Sequence, residues 1–514
     1  LADKHFFIKP GTDALLLLAM LNVVFSENLQ TLGNLGSHIE GLGKIKELVT
    51  DYTPERMSGI TGIAAEQVTI MVREFCEAES ASCYGRIGVS TQEFGTLAQW
   101  LITVFNIVTG NLDVPGGVMF STPAVDILNK SSAKRKGFAD NFTRVRKLPD
   151  FSGEFPVATL AEEINTEGQG QIKALVTSAG NPVLSTPNGK QLDSALATLD
   201  FMVSIDFYIN ETTRHADIIL PPLSSLERSH YDVIFNIFAI ENVTKFSEAL
   251  FKPNKNQRSD AVIFSELAWR MQSTTLISKV AGWFTKKLIQ TIGHEGILNS
   301  KLKNGSYGKS HQLSIKKLKQ HPHGIHLGPL EPRLPERLFT VDKKIKLAPS
   351  ECLDDIARLN EYLSKASSTK ENNTFDLLLI GRRDPRTNNS WLHNSYRMVK
   401  GKERCVALIN PEDATQRGVA DGDTVQVKSR VGMLDIIASL SDEMMPGVIS
   451  IPHGWGHDMD GVQLKVAKSR PGVNTNILTD EYFLDGLSGN AALNGVPVSL
   501  SLLSTKITEQ AVSS

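Results

Sequence analysis

Cysteine is scarce in this sequence: Cys76, Cys83, Cys352 and Cys405 are the four in a chain of 514 residues. No two form a Cys-x2-Cys pair, so the chain alone can build neither a zinc ribbon nor an iron–sulfur cluster. So few thiols suit a reducing compartment, and a cytoplasmic location is expected. Charge of one sign is missing as well. Lysine and arginine number 54 against 56 acidic residues, so no general field draws the chain towards nucleic acid or anionic lipid. The most apolar run, "ALLLLAMLNVVF" at 14–25, falls short of the roughly 20 residues that a membrane crossing needs. It predicts a buried helix capped by Thr12 or Asp13. The HExxH signature of zinc hydrolases is absent too.

A chain of this length exceeds one compact core, so two to four domains are expected. Residues 1–165 read as helical and apolar. Pro54 opens a helix behind Thr53, and Val68, Met71, Val72 and Phe75 keep helical spacing. "TLAQWLITVFNIVTG" is a second apolar helix, closed by Gly110, with "ASCYGR" before it as a short buried strand. Residues 166–350 change to alternation: "IKALVTSAGNP" is a strand, "KQLDSALATL" a helix, "DFMVSIDF" and "HADIILPP" further strands. That grammar implies a parallel sheet with ligands at the carboxyl ends of its strands. The tail of this region, 276–345, reads as lysine-rich and irregular, and "LNEYLSKASSTKENNT" beyond it as an exposed linker. Residues 375–514 are mostly β. "FDLLLIG", "DTVQVKSRVG", "MLDIIASL" and "GVISIP" are strands of a barrel-like fold, and "NPEDATQRGV" is a helix capped by Asn410.

Several stretches could carry chemistry. In "TSAGNPVLSTPNGKQ", a strand runs into a glycine turn and then a helix, a geometry that receives phosphate; a plain tight β–α connection has the same pattern. Asp206 ends the next strand, where a carboxylate either accepts from a ribose diol or a guanine edge, or caps its own turn. Gly85, Gly88, Gly95, Gly110, Gly116 and Gly117 would let backbone approach a flat ligand, with Gln92 and Glu93 as the polar groups beside them; the same glycines also close helices and turn loops. "GRRDPRTNNSWLHNSYR" follows a buried strand. Its Arg382, Arg383, Arg386 and Arg397 suit diphosphate oxygens, and Asn388, Asn389, His393 and Asn394 add neutral donors and acceptors.

Histidine raises two further questions. His321, His323 and His326 in "HPHGIHLGPL" resemble a metal trap but have no acidic or cysteine companion, so a loop is the better reading. In "IPHGWGHDMDG", His453 and His457 stand four apart around Trp455, open to reading as a metal pair, a catalytic dyad or a loop around a large ligand.

Nine segments, in order along nearly the whole chain, answer the last question by resemblance. "YGRIGVSTQEFGTLAQW", "TGNLDVPGG", "AGNPVLSTPNG", "ADIILPP", "IGRRDPRTNNSWLHN", "NPEDATQRGVADGDTV", "MMPGVISIPHGWGH", "GVNTNILTD" and "LSGNAALNGVPV" resemble the molybdopterin oxidoreductases of the dimethyl sulfoxide reductase superfamily, in particular its formate-dehydrogenase-like branch. The resemblance implies an α/β fold class: two Rossmann-like domains, both incomplete here, followed by a double-psi β-barrel. It implies two pterin guanine dinucleotides holding one molybdenum or tungsten ion through dithiolenes, a small-molecule substrate and an electron-transfer partner. Gly88, Gln92 and Gly117, then Arg382, Arg383, Asn389 and His393, with His453 and Trp455, would border the cofactors. Asn474, Asn476, Thr479, Asn490 and Asn494 match the polar tail of the site, and Gly180, Asn181 and Asp206 its nucleotide end. Such proteins also begin with a 4Fe–4S domain and a metal-ligand segment. Neither is visible here, so an N-terminally incomplete chain is expected, in which no residue can be named as the metal ligand. The competing expectation is a cofactor-free electron-transfer scaffold resembling the large subunit of respiratory complex I.

Overall fold

The computed structural model describes residues 2–128, 137–272, 276–368 and 375–505. The apolar run forms α1 (Asp13–Ser26), in which Leu15, Leu18, Leu21 and Val24 are wholly buried. A helix apolar on every side is stable only when surrounded. Here α2 (Pro54–Thr61), α3 (Ala65–Glu77) and α4 (Gly95–Val108) surround it. The Thr53 hydroxyl accepts from Arg56 N and Pro54 is the first helical residue, as the sequence predicts. At α1 neither predicted cap acts: the Thr12 hydroxyl donates instead to the Lys9 carbonyl at 2.7 Å.

The predicted strand at 81–86 is not formed. The segment's backbone pairs with side chains instead: Asn106 Oδ1 accepts from Cys83 N at 2.9 Å, and Asn106 Nδ2 donates to Cys83 O at 2.9 Å. Asn111 Oδ1 takes the Ala81 N–H. Two asparagines thus replace a neighbouring strand, which satisfies the backbone without a ladder.

The α/β unit contains β1 (Ala174–Ser178), α5 (Gly189–Leu196), β2 (Phe201–Ile205) and β3 (Ile218–Ile219), with the strands parallel in the order β1-β2-β3. Two predictions fail beyond it. The stretch 276–345 is not irregular throughout, because α6 (Asp260–Gln272) packs against α7 (Leu276–Asn304), which is broken at Gly293 (φ +66°). Nor is 359–368 a linker. It belongs to α8 (Ser350–Ser368), whose Ile356, Leu359 and Leu363 complete the core around α1, while 369–374 lie outside the described residues. The i, i+3, i+7 spacing of those three residues is the amphipathic signal that its polar neighbours mask.

The last region closes into a six-stranded barrel. Its strands are β4 (Leu377–Arg382), β5 (Val406–Ile409), β6 (Thr424–Lys428), β7 (Met433–Leu440), β8 (Val448–Pro452) and β9 (Val496–Ser504), with the short helix α9 (Pro411–Gln416) after β5. Their order is β4-β8-β5-β7-β6-β9, with β9 pairing back on β4. Alternation does the work in β7: Leu434, Ile436 and Ala438 point inward between exposed residues. Among the described residues, no helix is long and apolar enough to cross a membrane.

Replacing Asn106 by leucine keeps its volume but strips the Cys83 N–H and carbonyl of their partners. Asn106→Leu should therefore lower unfolding stability by on the order of 3 kcal/mol, read as a shifted urea midpoint at unchanged slope.

Candidate functional site

Strand ends, glycine turns and barrel loops line two separate cavities that share no lining residue. At the carboxyl end of β1, Ala179 takes a left-handed φ of +51° and leads into Gly180 and Asn181. These residues, Asp206 after β2, and Ser390, Trp391 and Asn394 of the barrel line a narrow crevice of about 30 Å3. Phe207 meets Trp391 edge-on at 6.4 Å. Asp206 is largely occupied with its own turn: Oδ1 accepts from Phe207 N at 2.6 Å, and Oδ2 from Asn210 Nδ2 at 3.2 Å. Burial pushes its carboxyl above the usual range.

A larger cleft of about 350 Å3 lies between the first core and the barrel. Gly88 and Gln92 border it on one side; Gly381, Arg383, His453, Asn476, Thr479 and Asn494 border it on the other. Gly88 faces open space, with no atom within 4 Å of where a Cβ would stand. Gln92 donates through Nε2 to Val89 O, while its Oε1 is buried with no partner. Asn494 ties the two walls together, accepting from Gly381 N at 3.0 Å and donating to Thr91 Oγ1 at 2.8 Å. Arg383 holds Asn389 Oδ1. Burial, reinforced by the Arg383 charge, pushes the His453 imidazole down to about 4. It is therefore neutral near pH 7, leaving Arg383 as the cation of this wall.

Behind the clefts runs a buried polar chain. His393 Nδ1 and His457 Nε2 are 2.7 Å apart, and His457 Nδ1 is 2.8 Å from Glu211 Oε1. Asn181 Nδ2 donates to Glu211 Oε2 at 2.7 Å, and Thr212 Oγ1 donates to Asn181 Oδ1 at 2.7 Å. His393, His457, Glu211 and Thr212 are all wholly buried. Desolvation works to raise the Glu211 pKa, but the hydrogen bond and charge of His457 outweigh it and hold the carboxyl below its ordinary value. His393 is pushed down to about 3 by burial and by His457. Trp455 lies on the His393 ring at a centroid distance of 4.1 Å, 2% exposed, with its Nε1 unpartnered.

The residues singled out in the sequence thus separate by place. Gly88, Gln92, Arg383, His453, Asn476 and Asn494 border the larger cleft; Gly180, Asn181 and Asp206 border the crevice. Arg382 lies on the barrel strands' face away from the core, where Ser450 O (3.0 Å) and Val406 O (2.9 Å) take its guanidinium. Asn474 and Asn476 donate to the Val183 and Leu184 carbonyls at 3.0 and 2.7 Å, pinning the barrel to the α/β unit. Gly117 lies at neither cleft; a Cβ there would stand 2.2 Å from the Asn111 carbonyl oxygen, so it serves a tight turn. Glu93 pairs with Arg358 of α8 at 3.3 Å. The "HGWGH" glycines also have a steric purpose. At Gly454 (φ +93°) a Cβ would come within 2.4 Å of Asn389 O, and at Gly456 (φ +113°) within 2.7 Å of Asn474 Cβ. Among the described residues no three His, Cys, Asp or Glu side chains group as metal ligands, and His326 sits instead 3.1 Å from Glu241. Glu211 was not singled out in advance. Its signal was an acid between Asn210 and two threonines just past a strand end.

Residues 1–270 match the family model described as molybdopterin oxidoreductase, and residues 377–497 match the molydopterin dinucleotide binding domain. The chain belongs to the molybdopterin oxidoreductase family. Its similar proteins include the probable oxidoreductase YoaE of Bacillus subtilis, 22% identical over 90% of this chain and 64% of that protein. The F420-dependent formate dehydrogenase subunit alpha of Methanocaldococcus jannaschii is 26% identical over 93% and 68%, respectively. Formate dehydrogenase H of Escherichia coli is 24% identical over 88% and 62%. The chain thus spans roughly two-thirds of the length of these relatives. Among solved structures, acetylene hydratase from Pelobacter acetylenicus superposes with a TM-score of 0.74 at 17% identity, covering 96% of this chain and 71% of that one. That likeness concerns the fold.

The two domain matches support a pterin cofactor carrying molybdenum or tungsten. The clefts of this molybdopterin oxidoreductase fit such a group. Open space at Gly88 admits a flat ring, the unpartnered Gln92 Oε1 can accept from a ring N–H, and Arg383 beside a neutral imidazole suits an anionic diphosphate.

The depressed histidines set a direction for acid sensitivity. The unfolded chain binds a proton at His453 below about pH 6.5, whereas the folded one does so only near pH 4. Stability present above the higher value is therefore lost as pH falls from about 6.5 towards 4. His453→Gln should flatten the dependence of the urea midpoint between pH 6.5 and 4.5 by about one proton's worth of slope. An unchanged slope would show that the imidazole is not held neutral.

Proposed function

We propose that this chain is the cofactor-holding part of a molybdenum or tungsten oxidoreductase that uses two pterin guanine dinucleotides. The observation that carries the reading is the larger cleft, where a buried carbonyl lacking a donor, a side-chain-free glycine and an arginine come together. The bound group supplies two-electron redox chemistry at its metal. The chain's own residues supply charge, hydrogen bonds and shape. Arg383 offsets diphosphate charge, Gln92 Oε1 accepts from the pterin, His453 stays neutral and offers one donor and one acceptor, and Asn181 and Asp206 serve the nucleotide end. Residues 1–165, 166–350 and 375–514 form the three parts between which the cofactors lie.

A small substrate resembling formate is part of the proposal, motivated by two formate dehydrogenases among the similar proteins. So is an electron-transfer subunit or redox protein as partner, in the cytoplasm. None of the four cysteines is paired or grouped in space, so a 4Fe–4S cluster working with this cofactor is held by residues other than these. A cofactor-free scaffold has no use for the unpartnered Gln92 carbonyl, and that reading is not adopted.

Elemental analysis of the purified protein, together with guanine released by acid, tests the proposal. Molybdenum or tungsten with two guanines per metal ion is expected; protein with neither would sink it. Arg383→Ala removes a charge-assisted contact of about 1.5–3 kcal/mol and should lower cofactor content tenfold or more while leaving the urea midpoint nearly unchanged. Arg382→Ala should do the reverse and destabilise the barrel.

A further inference from the structure

The outward face of α7 is inverted with respect to an ordinary surface helix. Before the break at Gly293, Val280, Trp283, Phe284, Leu288 and Ile292 recur at three- and four-residue spacing and share one face, each between 42% and 62% exposed. Met271 at the end of α6 is 74% exposed. Polar side chains, meanwhile, turn towards α6. Lys286 is 9% exposed, its Nζ 3.1 Å from Glu266 Oε1 and 3.8 Å from the Trp269 ring centroid, and Gln290 donates to the same Glu266 oxygen at 3.3 Å. A helix that packs on a protein in water does the opposite, burying its apolar stripe and wetting its charges.

Charge adds a second, independent observation. The whole chain is almost neutral, yet residues 276–320 hold nine lysines and a single acid, Glu295. Glu295 is already engaged by Ser229 and Lys319. Lys287 is exposed on the apolar side of α7, one turn from both Trp283 and Phe284. In a protein groove, a lysine within the apolar stripe would be stripped of water. At a bilayer interface its stem stays among hydrocarbon while its ammonium reaches the phosphates.

We infer that this face docks on an anionic lipid bilayer, with α7 lying in the plane of the interface. Val280, Phe284, Leu288 and Ile292 enter the boundary between headgroups and acyl chains; Trp283 sits at headgroup level; Lys287 meets lipid phosphates. The exposed stripe from 280 to 292 is about 18 Å long, enough to anchor a peripheral protein and too short to cross. This inference is independent of the cofactor reading, since none of these residues borders either cleft.

Sedimentation of the purified chain with extruded vesicles tests it. Binding is expected to vesicles of phosphatidylcholine mixed with phosphatidylglycerol, far weaker binding to phosphatidylcholine alone, and release at high salt. Brominated lipid should quench a tryptophan signal that Trp283→Phe removes. The double variant Phe284→Glu/Leu288→Glu should cut the bound fraction at least tenfold, and Lys287→Glu should lower it severalfold on anionic vesicles, with cofactor content unchanged in both. The inference is overturned by no binding to either vesicle, by equal binding to both, or by binding that survives the glutamates. A protein partner gripping this face while vesicles are ignored would overturn it as well.

Discussion

Glu211 is a carboxylate without water, and its two oxygens are divided between His457 of the barrel and Asn181 of the α/β unit. Removing such a group from solvent costs several kcal/mol unless its lone pairs are met in good geometry. The barrel loop and the strand-end turn are therefore fixed relative to each other, because movement of either would leave a buried charge unpaired. The surrounding contacts share this constraint. Asn474 and Asn476 reach the Val183 and Leu184 carbonyls, the Asn188 N–H donates to Thr479 O, and Asn188 Nδ2 reaches Glu481. Each is a directional bond between the same two bodies, so the crevice at Gly180 is set by the polypeptide itself.

The larger cleft depends on the same frame one layer out. Alternation along β4 puts Leu377 and Leu379 in the barrel core and Arg382 on the strand's other face, while Arg383, just past the strand, stands at the cleft, so adjacent arginines have different duties. The first spends its donors on carbonyls; the second keeps its charge near the opening. His453 follows Arg382 in space, its backbone N–H donating to the Arg382 carbonyl at 2.9 Å. A neutral imidazole next to the guanidinium avoids the repulsion that a second cation would bring, which is why burial and Arg383 act on His453 in the same sense. The wall that results carries one positive charge and several neutral amides, a composition suited to an anion attached to a flat, polar head.

Most of the architecture was legible because strand and helix periods are local. The parallel strands after 174, the barrel strands after 377, the Pro54 and Asn410 helix starts and the buried α1 all follow from patterns within a dozen residues. The errors arose where a partner distant in sequence decided the outcome. "ASCYGR" has strand composition, but Asn106 and Asn111 occupy the places of a neighbouring strand. Residues 359–368 look polar enough for a linker until Leu359 and Leu363 find the α1 core. At the site, composition separated ligand-facing loops from the rest but could not distinguish Arg382 from Arg383, nor reveal that Asn474 and Asn476 grip another domain's carbonyls. Glu211 escaped notice because an acid in a loop is ordinarily solvated; only the fold shows that a histidine and an amide take its two oxygens.

The molecule disposes of its polar groups in three distinct ways, and the contrast locates what binds to it. Between the barrel and the α/β unit, both Glu211 oxygens and the Asn474 and Asn476 amides are matched by protein partners, while His393 Nε2 and Trp455 Nε1 are buried without one. At the larger cleft Gln92 Oε1 is buried and unmatched while Gly88 on the same side leaves room, an arrangement that costs stability unless a donor arrives from outside. Along α7 the imbalance is reversed, with apolar side chains in water and a lysine, a glutamine and a glutamate packed beneath them. An unpaired acceptor calls for a polar ligand of defined shape, whereas an apolar stripe studded with lysine calls for an extended, anionic, apolar surface. The two deficits differ in kind and lie on different parts of the chain, so one binding partner cannot satisfy both.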